Sequence, residues 1–192
     1  MKLKSQRTEI IPLTPNELKI FVKSRSNFEI HSKLKVSKVE LTDTYREEIL
    51  EMIEKDPTIW QRKGTDYLFY TLWIIVEQKS KTIIGLFTFN GKPNIDGEVE
   101  VFFSIESPYR RKGFATEAME TILCWGNKTE LFRIVIVEAF ENNKAAMASL
   151  RKLGFKKVVL DEIEDEEIEN STKYYKVVCP KSIECEELDF DI

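Results

Sequence analysis

A strand, a cationic turn and a helix follow one another within residues 99–116. Apolar and polar residues alternate up to Ile105, as they do in a strand with one buried face. The turn carries three cations, and the small residues Gly113 and Ala115 let backbone N–H groups approach a ligand closely. Because a helix N-terminus favours negative charge, this unit predicts a pyrophosphate-binding cradle at the end of a strand.

The other segments indicate an α/β protein of a single domain. Seven segments have the pattern of strands, at residues 7–11, 67–76, 83–89, 98–105, 131–139, 155–160 and 174–178. Capping boxes at 14–17 and 44–47 each predict the start of a helix, and further helices are expected over about 115–126 and 143–153. The glycine-rich patterns of the common nucleotide-binding folds are absent.

The turn resembles the acetyl-CoA signature of the GNAT N-acetyltransferases. That signature is Gln or Arg, two residues, Gly, one residue, then Gly or Ala, and residues 110–115 are Arg-Arg-Lys-Gly-Phe-Ala. Thr116-Glu117-Ala118 continues it as in the group of RimJ and RimL. A second family landmark, an Asn eleven residues before a Gly-Phe pair, is matched by Asn143 and Gly154-Phe155. The resemblance covers nearly the whole chain, from Thr8 to about Val178.

The resemblance implies a GNAT fold. This is a central, mixed, mostly antiparallel twisted sheet of about seven strands, with helices on both faces and a splay in the middle that holds acetyl-CoA. We expect one domain over residues 1–180 and an acidic tail over 181–192. Residues 161–192 hold twelve acidic and three basic residues. A solvated loop at 161–169 and a frayed tail explain this excess, and attraction of a cationic amine is the alternative.

The resemblance also implies the residues that bind acetyl-CoA. Backbone N–H groups would hold the pyrophosphate at Arg111, Lys112, Gly113, Phe114, Ala115 and Thr116. Side chains of Arg110, Arg111 and Lys112 would pair with phosphates, although a solvated turn is the plain alternative. The main chain at Phe103, Ser104 and Ile105 would pair with the pantetheine arm. Asn143 would hydrogen-bond that arm, and it is also suited to cap the following helix.

Glu100 is the candidate general base, acting through water on the amine that attacks the acetyl group. A solvent-facing role is the alternative, and Glu98 competes for the assignment because it lies on the same strand face. Two familiar general acids are missing. Leu150 stands where many members of the family have Tyr, and Ala146 stands where the RimL-like group often has Ser.

The implied activity is transfer of acetyl from acetyl-CoA to a primary amine by direct attack in a ternary complex. The acceptor is a protein or peptide α-amine or a small amine. A non-catalytic acyl-CoA-binding or sensing domain is the alternative. Aromatic residues before and within the second strand are expected mostly in the core, with a minority lining the acceptor pocket: Trp60, Tyr67, Phe69, Tyr70 and Trp73.

Composition limits the other partners. The net charge of −4 gives no indication of nucleic-acid binding, and no apolar run is long enough for a membrane span. The cysteines, Cys124, Cys179 and Cys185, lack metal-ligand spacing, and their odd number argues against a disulfide framework. No metal is expected. The N-terminus lacks a signal peptide, so we expect a cytoplasmic monomer or homodimer.

Overall fold

The computed structural model describes residues 1–55, 64–140, 142–158, 172–178 and 190–191. Nine strands form one sheet in the order β7-β8-β6-β5-β4-β3-β2-β1-β9. The strands are β1 Lys2–Lys4, β2 Thr8–Pro12, β3 Leu72–Glu77, β4 Thr82–Phe89, β5 Glu98–Ile105, β6 Ile134–Phe140, β7 Lys156–Val158, β8 Thr172–Val178 and β9 Phe190–Asp191.

Five α-helices join these strands among the described residues. They are α1 Pro15–Lys23, α2 Arg25–His31, α3 Asp43–Lys55, α4 Phe114–Thr129 and α5 Lys144–Lys152. The capping box that begins α1 is present, because the Thr14 side chain accepts from the Glu17 N–H and the Glu17 carboxylate accepts from the Thr14 N–H. Short 3-10 helices cover Asp66–Phe69 and Ser107–Tyr109.

The sheet is antiparallel except between two of its inner strands, β5 and β6. These two strands pair in parallel over only four residues each, Glu98–Val101 with Ile134–Val137. Among the described residues, no pairing continues from Phe102 to the end of β5 on the side of β6. The sheet is therefore splayed in its middle, and the predicted mixed, mostly antiparallel fold is confirmed.

Helices cover both faces of the sheet and enclose two apolar cores. The larger core packs β5, β6 and the inner strands against α4 and α5, with Trp73, Phe89 and Trp125 at its centre. The second core packs the opposite face of β3 and β4 against α1, α2 and α3. Alternate residues of β5 consequently face different layers, with Val101 and Ile105 towards α4.

Several local predictions were wrong. Residues 66–69 form a 3-10 helix, and the strand expected from residue 67 begins at Leu72. Helix α3 begins at Asp43, before the expected capping box at 44–47. Gly126 does not end α4. It lies within that helix, where an added Cβ would be 2.3 Å from the Phe132 ring, so close packing explains the glycine.

The strand count exceeds the expected seven because the short strands β1 and β9 extend the sheet beyond β2, with β9 at the edge. Lys2 and Leu3 of β1 pair with Asp191 and Phe190 of β9. The division into a domain over 1–180 and a tail over 181–192 stays a prediction, because residues 179–189 and the segment 161–169 lie outside the described residues.

Cys124 lies fully buried on α4 and is disulfide-bonded. Cys179 and Cys185 lie outside the described residues. Within the part of the chain that the structure describes, no helix combines the length and apolarity that crossing a membrane would require.

Candidate active site

A large open cavity lies where β5 and β6 diverge. Its volume is about 1010 Å³. The floor consists of the end of β5 from Val101 to Ser104, together with Val137 and Glu138 of β6. Because these strands no longer pair here, the cavity reaches between the two layers of the protein.

The walls of the cavity are aromatic and acidic. Tyr45 and three carboxylates of α3 line one side: Glu48, Glu51 and Glu54. Phe69 and Tyr70 line another part, and they belong to the five aromatic residues that were expected mostly in the core with a minority at the acceptor pocket. Trp73 is fully buried in the core, and Trp60 lies outside the described residues. The cavity therefore offers apolar surface and negative charge on the side of α3.

The hydroxyl group of Tyr45 is held neutral at the cavity wall. Burial, and secondarily the nearby carboxylate of Glu48, raise the pKa of Tyr45 to about 12. A phenol with this pKa donates a hydrogen bond but is a poorer proton donor to a leaving group than an unperturbed tyrosine. Burial and Glu17 also raise the pKa of Tyr67, which lies outside the cavity lining.

The turn after β5 is exposed and has the backbone of an anion cradle. Arg111 and Gly113 both have left-handed φ angles, 61° and 84°, on either side of Lys112. Gly113 is the N-cap of α4 and has no side-chain cap, so N–H groups of the first helical turn remain available to a ligand. Phe114 and Thr116 are buried and Ala115 is half-buried, which fixes the helix beneath the turn.

The cationic side chains of this turn have different positions. The Arg110 Nε donates to the Ile105 carbonyl oxygen at 2.7 Å, so this side chain folds back on the end of β5. The Lys112 Nζ lies 5.3 Å from the centre of the Tyr109 ring. Arg111 is exposed, with its side chain at the surface of the turn. Arg110 thus has an evident structural contact besides the phosphate role expected for it.

Arg7, which was not predicted from the sequence, joins the N-terminal strands to this turn. Its Nη1 donates to the Lys112 carbonyl oxygen at 3.0 Å, and its Nε and Nη2 lie 2.6 Å from Glu117 Oε2. The guanidinium carbon lies 4.5 Å from the centre of the Phe114 ring. No local motif marks Arg7, since its partners lie more than 100 residues away in the chain.

Asn143 is the N-cap of α5, as its residue type predicted. Its Oδ1 accepts from the Ala146 N–H at 3.1 Å, which uses one end of the exposed side chain. The amide nitrogen is the end suited to a pantetheine carbonyl oxygen. Leu150 is 6% exposed and belongs to the larger core, so the position of the familiar general acid is filled by packing.

Glu100 lies on the α3 side of β5, on the same strand face as Phe102 and Ser104. Its Oε2 accepts from the Asn90 Nδ2 at 2.8 Å, and Asn90 lines the cavity although Glu100 does not. Glu98 is bound by the Asn94 amide at 3.0 Å. Glu138 lines the cavity directly, although it was not predicted from the sequence as a site residue.

Taken together, the splay and the turn can hold a long ligand with a phosphate end and an amide-containing arm. Phe103 is half-buried, Ser104 is exposed and Ile105 is buried at the unpaired edge of β5. Backbone groups of an unpaired strand edge can bond to an extended chain. Within the described residues, no group of three or more potential metal ligands is found.

This combination of splayed sheet and phosphate-type turn defines the class of acyl-CoA-dependent transferase folds. The chain belongs to the GNAT acetyltransferase domain family, whose model matches residues 7–156. The family predicted from the signature at 110–115 is thereby confirmed.

One curated relative is named the uncharacterized N-acetyltransferase YjdG, from Bacillus subtilis. It is 31% identical over 83 residues, which are 43% of this chain and 49% of the relative. The chain thus matches about half the length of this curated relative.

Two solved structures share the fold over almost the whole chain. A spermidine N-acetyltransferase SpeG chimera from Vibrio cholerae and hSSAT is 14% identical, with a TM-score of 0.60 over 91% of this chain and 96% of that one. RimL, a ribosomal L7/L12 α-N-protein acetyltransferase in complex with coenzyme A, is 12% identical, with a TM-score of 0.58 over 93% of this chain and 97% of that one.

Proposed function

We propose that this protein transfers the acetyl group of acetyl-CoA to a primary amine by direct attack in a ternary complex. The observation that carries the proposal is the cavity at the divergence of β5 and β6, together with the left-handed turn that follows β5 in the chain and begins α4. The first feature suits an acyl-pantetheine arm and its acceptor, and the second suits a pyrophosphate. Family membership supports the same reaction.

In this proposal, three parts of the site bind different parts of acetyl-CoA. The pyrophosphate binds the backbone of residues 111–116, with Arg110, Arg111 and Lys112 adding positive charge. The pantetheine arm lies along the unpaired edge of β5 at residues 103–105, and its amide groups bond to that edge and to Asn143. The helix dipole of α4 adds to the attraction of phosphate.

The acceptor enters from the side of α3 in this proposal. The lining carboxylates Glu48, Glu51 and Glu54 favour an acceptor that carries positive charge besides the reacting amine. A protein N-terminus and a small amine both meet this description. The two solved relatives carry both kinds in their names, a ribosomal protein α-amine and spermidine.

Glu100 serves as the general base in this proposal, with a water molecule between it and the amine. An alkyl amine is mostly protonated at pH 7, so attack needs a group that accepts a proton. The hydrogen bond from Asn90 holds the Glu100 carboxylate beside the cavity. Glu138 is the competing carboxylate because it lines the cavity itself.

A non-catalytic acyl-CoA-binding domain is the second candidate function. The observation in its favour is the burial of Leu150 in the core, since this leaves no acid at the familiar position. In the proposed enzyme, the CoA thiolate would leave without protonation by a residue at this position. We further propose a cytoplasmic protein that acts as a monomer or homodimer.

The deciding experiment measures thiol release from acetyl-CoA with a panel of amines. The panel contains peptides with free and with blocked N-termini, a polyamine, an aminoglycoside and an amino acid. Amine-dependent release of free thiol supports the enzyme, and binding of acetyl-CoA without release by any acceptor supports the second candidate. A thermal shift with CoA is the prior control, because a ligand at about 100 times its Kd stabilises a fold by about 2.7 kcal/mol.

A further inference from the structure

We propose that Arg7 is a positioning residue for the phosphate-binding turn. In this role it holds the carbonyl group of Lys112 and neutralises the carboxylate of Glu117, so that the turn presents N–H groups to the pyrophosphate of acetyl-CoA. The inference rests on the function proposed above, because it takes residues 111–116 as the pyrophosphate site.

Three contacts fix the Arg7 side chain against the turn, although it is 44% exposed. Nη1 bonds to the Lys112 carbonyl oxygen, Nε and Nη2 contact Glu117, and the guanidinium plane lies over the ring of Phe114. These bonds use three of the five N–H donors of an arginine. A lysine has a single nitrogen and cannot span the same three groups.

The contact with Lys112 controls the direction of the backbone in the turn. Arg111 and Gly113 have left-handed conformations on either side of it, and successive N–H groups in such a turn form a concave anion site. An anion at this site requires the intervening carbonyl oxygen to point elsewhere. Arg7 provides a donor for that oxygen at 3.0 Å, on the side of the N-terminal strands.

The contact with Glu117 removes a negative charge from the cradle. Glu117 lies in the first turn of α4, where a carboxylate stabilises the helix but repels a bound phosphate. Its Oε1 accepts from the Ser5 hydroxyl and from the Arg7 backbone N–H, both at 2.7 Å, and its Oε2 contacts the Arg7 guanidinium. Both oxygens are therefore bound by the β1–β2 connection.

The Arg7 side chain also lies beside the surface that the ligand would approach. A Cβ built on Gly113 would lie 3.3 Å from Arg7 Nη2. The cation is thus next to the one residue of the turn that has no side chain. This position explains how Arg7 can affect the binding of phosphate although it lies outside the signature at residues 110–115.

The test compares binding of CoA with binding of pantetheine, which lacks the pyrophosphate. Calorimetry measures CoA, and ligand-observed NMR measures the weaker pantetheine. We expect Arg7→Gln to weaken CoA binding about tenfold or more, since bonds to charged groups are the stronger ones, and to leave pantetheine binding within about twofold. Lys2→Ala is the matched control, because it breaks an ion pair of 3.6 Å with Glu9 on the same N-terminal strands and should leave CoA binding unchanged.

Further variants separate the two contacts of Arg7. Arg7→Lys retains the charge but cannot make all the contacts of arginine. If the Lys112 contact contributes to CoA binding, this variant should recover less than half of the binding free energy that Arg7→Gln loses. Arg7→Gln combined with Glu117→Gln should bind CoA more tightly than Arg7→Gln alone, because the uncompensated carboxylate is gone. Arg7→Lys also serves as the test if Arg7→Gln fails to fold.

Two results would overturn the inference. One is a folded Arg7 variant that binds CoA as tightly as the natural protein, and the other is an equal loss of CoA and pantetheine binding. Failure of the proposed function gives a different result. In that case the natural protein binds CoA but releases no thiol with any amine, while the binding comparison still decides the role of Arg7.

Discussion

The guanidinium of Arg25 on α2 lies 2.6 Å from the carboxylate of Glu106, the residue that follows β5 and precedes the phosphate-type turn. Arg25 is 2% exposed and is also paired with Glu29 at 2.9 Å, which is fully buried. The contact with Glu106 is an ion pair without good hydrogen-bond geometry, since Glu106 Oε1 has no hydrogen-bond partner. A buried cation therefore joins the helical layer to the start of the turn.

Replacing Arg25 by Met should cost about 3–5 kcal/mol of unfolding free energy. The substitution leaves the carboxylates of Glu29 and Glu106 without their cation. Removing one partner of a buried ion pair is strongly destabilising because the remaining charge stays buried without compensation. Denaturant unfolding measures the loss. Lys92→Ala is the control because it breaks an exposed pair with Asp66, and it should cost less than about 1 kcal/mol. Equal losses for the two variants would contradict this account.

The same pair explains why α2 was not predicted. Its buried residues are Arg25, Phe28 and Glu29, so two of the three positions that face inward are charged. Such a helix cannot be recognised from the periodic spacing of apolar residues, because that criterion assumes that the buried positions are apolar. Helix α1 was predicted at its start because its capping box is a local signal.

Glu100→Gln should lower kcat for acetyl transfer about a hundredfold or more, the usual effect of removing a general base. Glutamine can still accept the hydrogen bond from Asn90, so the loss reports the charge and not the position of the side chain. The measurement is the rate of thiol release at saturating acetyl-CoA and amine. Glu138→Gln is the comparison, and a large loss there with none in Glu100→Gln would transfer the role of base to Glu138.

Asn143→Ser should separate helix capping from cofactor binding. Serine caps a helix about as well as asparagine, so the unfolding free energy should stay within about 0.5 kcal/mol of the natural value. It lacks the amide nitrogen, so the KM for acetyl-CoA should rise about fivefold to tenfold if that group binds the pantetheine arm. Asn143→Ala, which removes both properties, should also lose about 1 kcal/mol of stability. An unchanged KM in Asn143→Ser would leave Asn143 with its cap alone.

Tyr45 should make the protein less stable at high pH. Its pKa is about 12 in the folded chain and 10.0 for an unperturbed tyrosine, so the unfolded state releases the proton first. The contribution of Tyr45 to the free energy of unfolding is therefore fully present below pH 10 and is lost as the pH rises from 10 to 12. The loss from this group is at most about 2–3 kcal/mol. Unfolding curves of the natural protein and of Tyr45→Phe should diverge in that interval. Parallel curves would contradict the raised pKa, since other groups titrate equally in both proteins.

Residues of the candidate site were predictable only where a local motif or a fixed spacing along the chain marks them. The turn at 110–115 follows from a local motif, and Asn143 follows from its spacing to Gly154. Arg7 and Glu138 lie at the candidate site because of the order of the strands in the sheet, and local sequence patterns do not predict that order. The carboxylates of α3 line the cavity because that helix covers the splay, and from sequence they have the pattern of an ordinary solvated face.

Gly113→Ala should abolish most of the affinity for CoA. Gly113 has a φ of 84°, where an alanine costs about 1–2 kcal/mol, and the new methyl group would stand 3.3 Å from Arg7 on the surface where phosphate is expected. Gly154→Ala is the matched control, because its φ of 80° imposes the same strain while the nearest atom, on Val177, lies 3.9 Å away. Both variants should lose similar stability in denaturant, but calorimetry should find weaker CoA binding in Gly113→Ala alone. Equal binding losses would mean that backbone strain, and not the open surface above Gly113, limits binding at the turn.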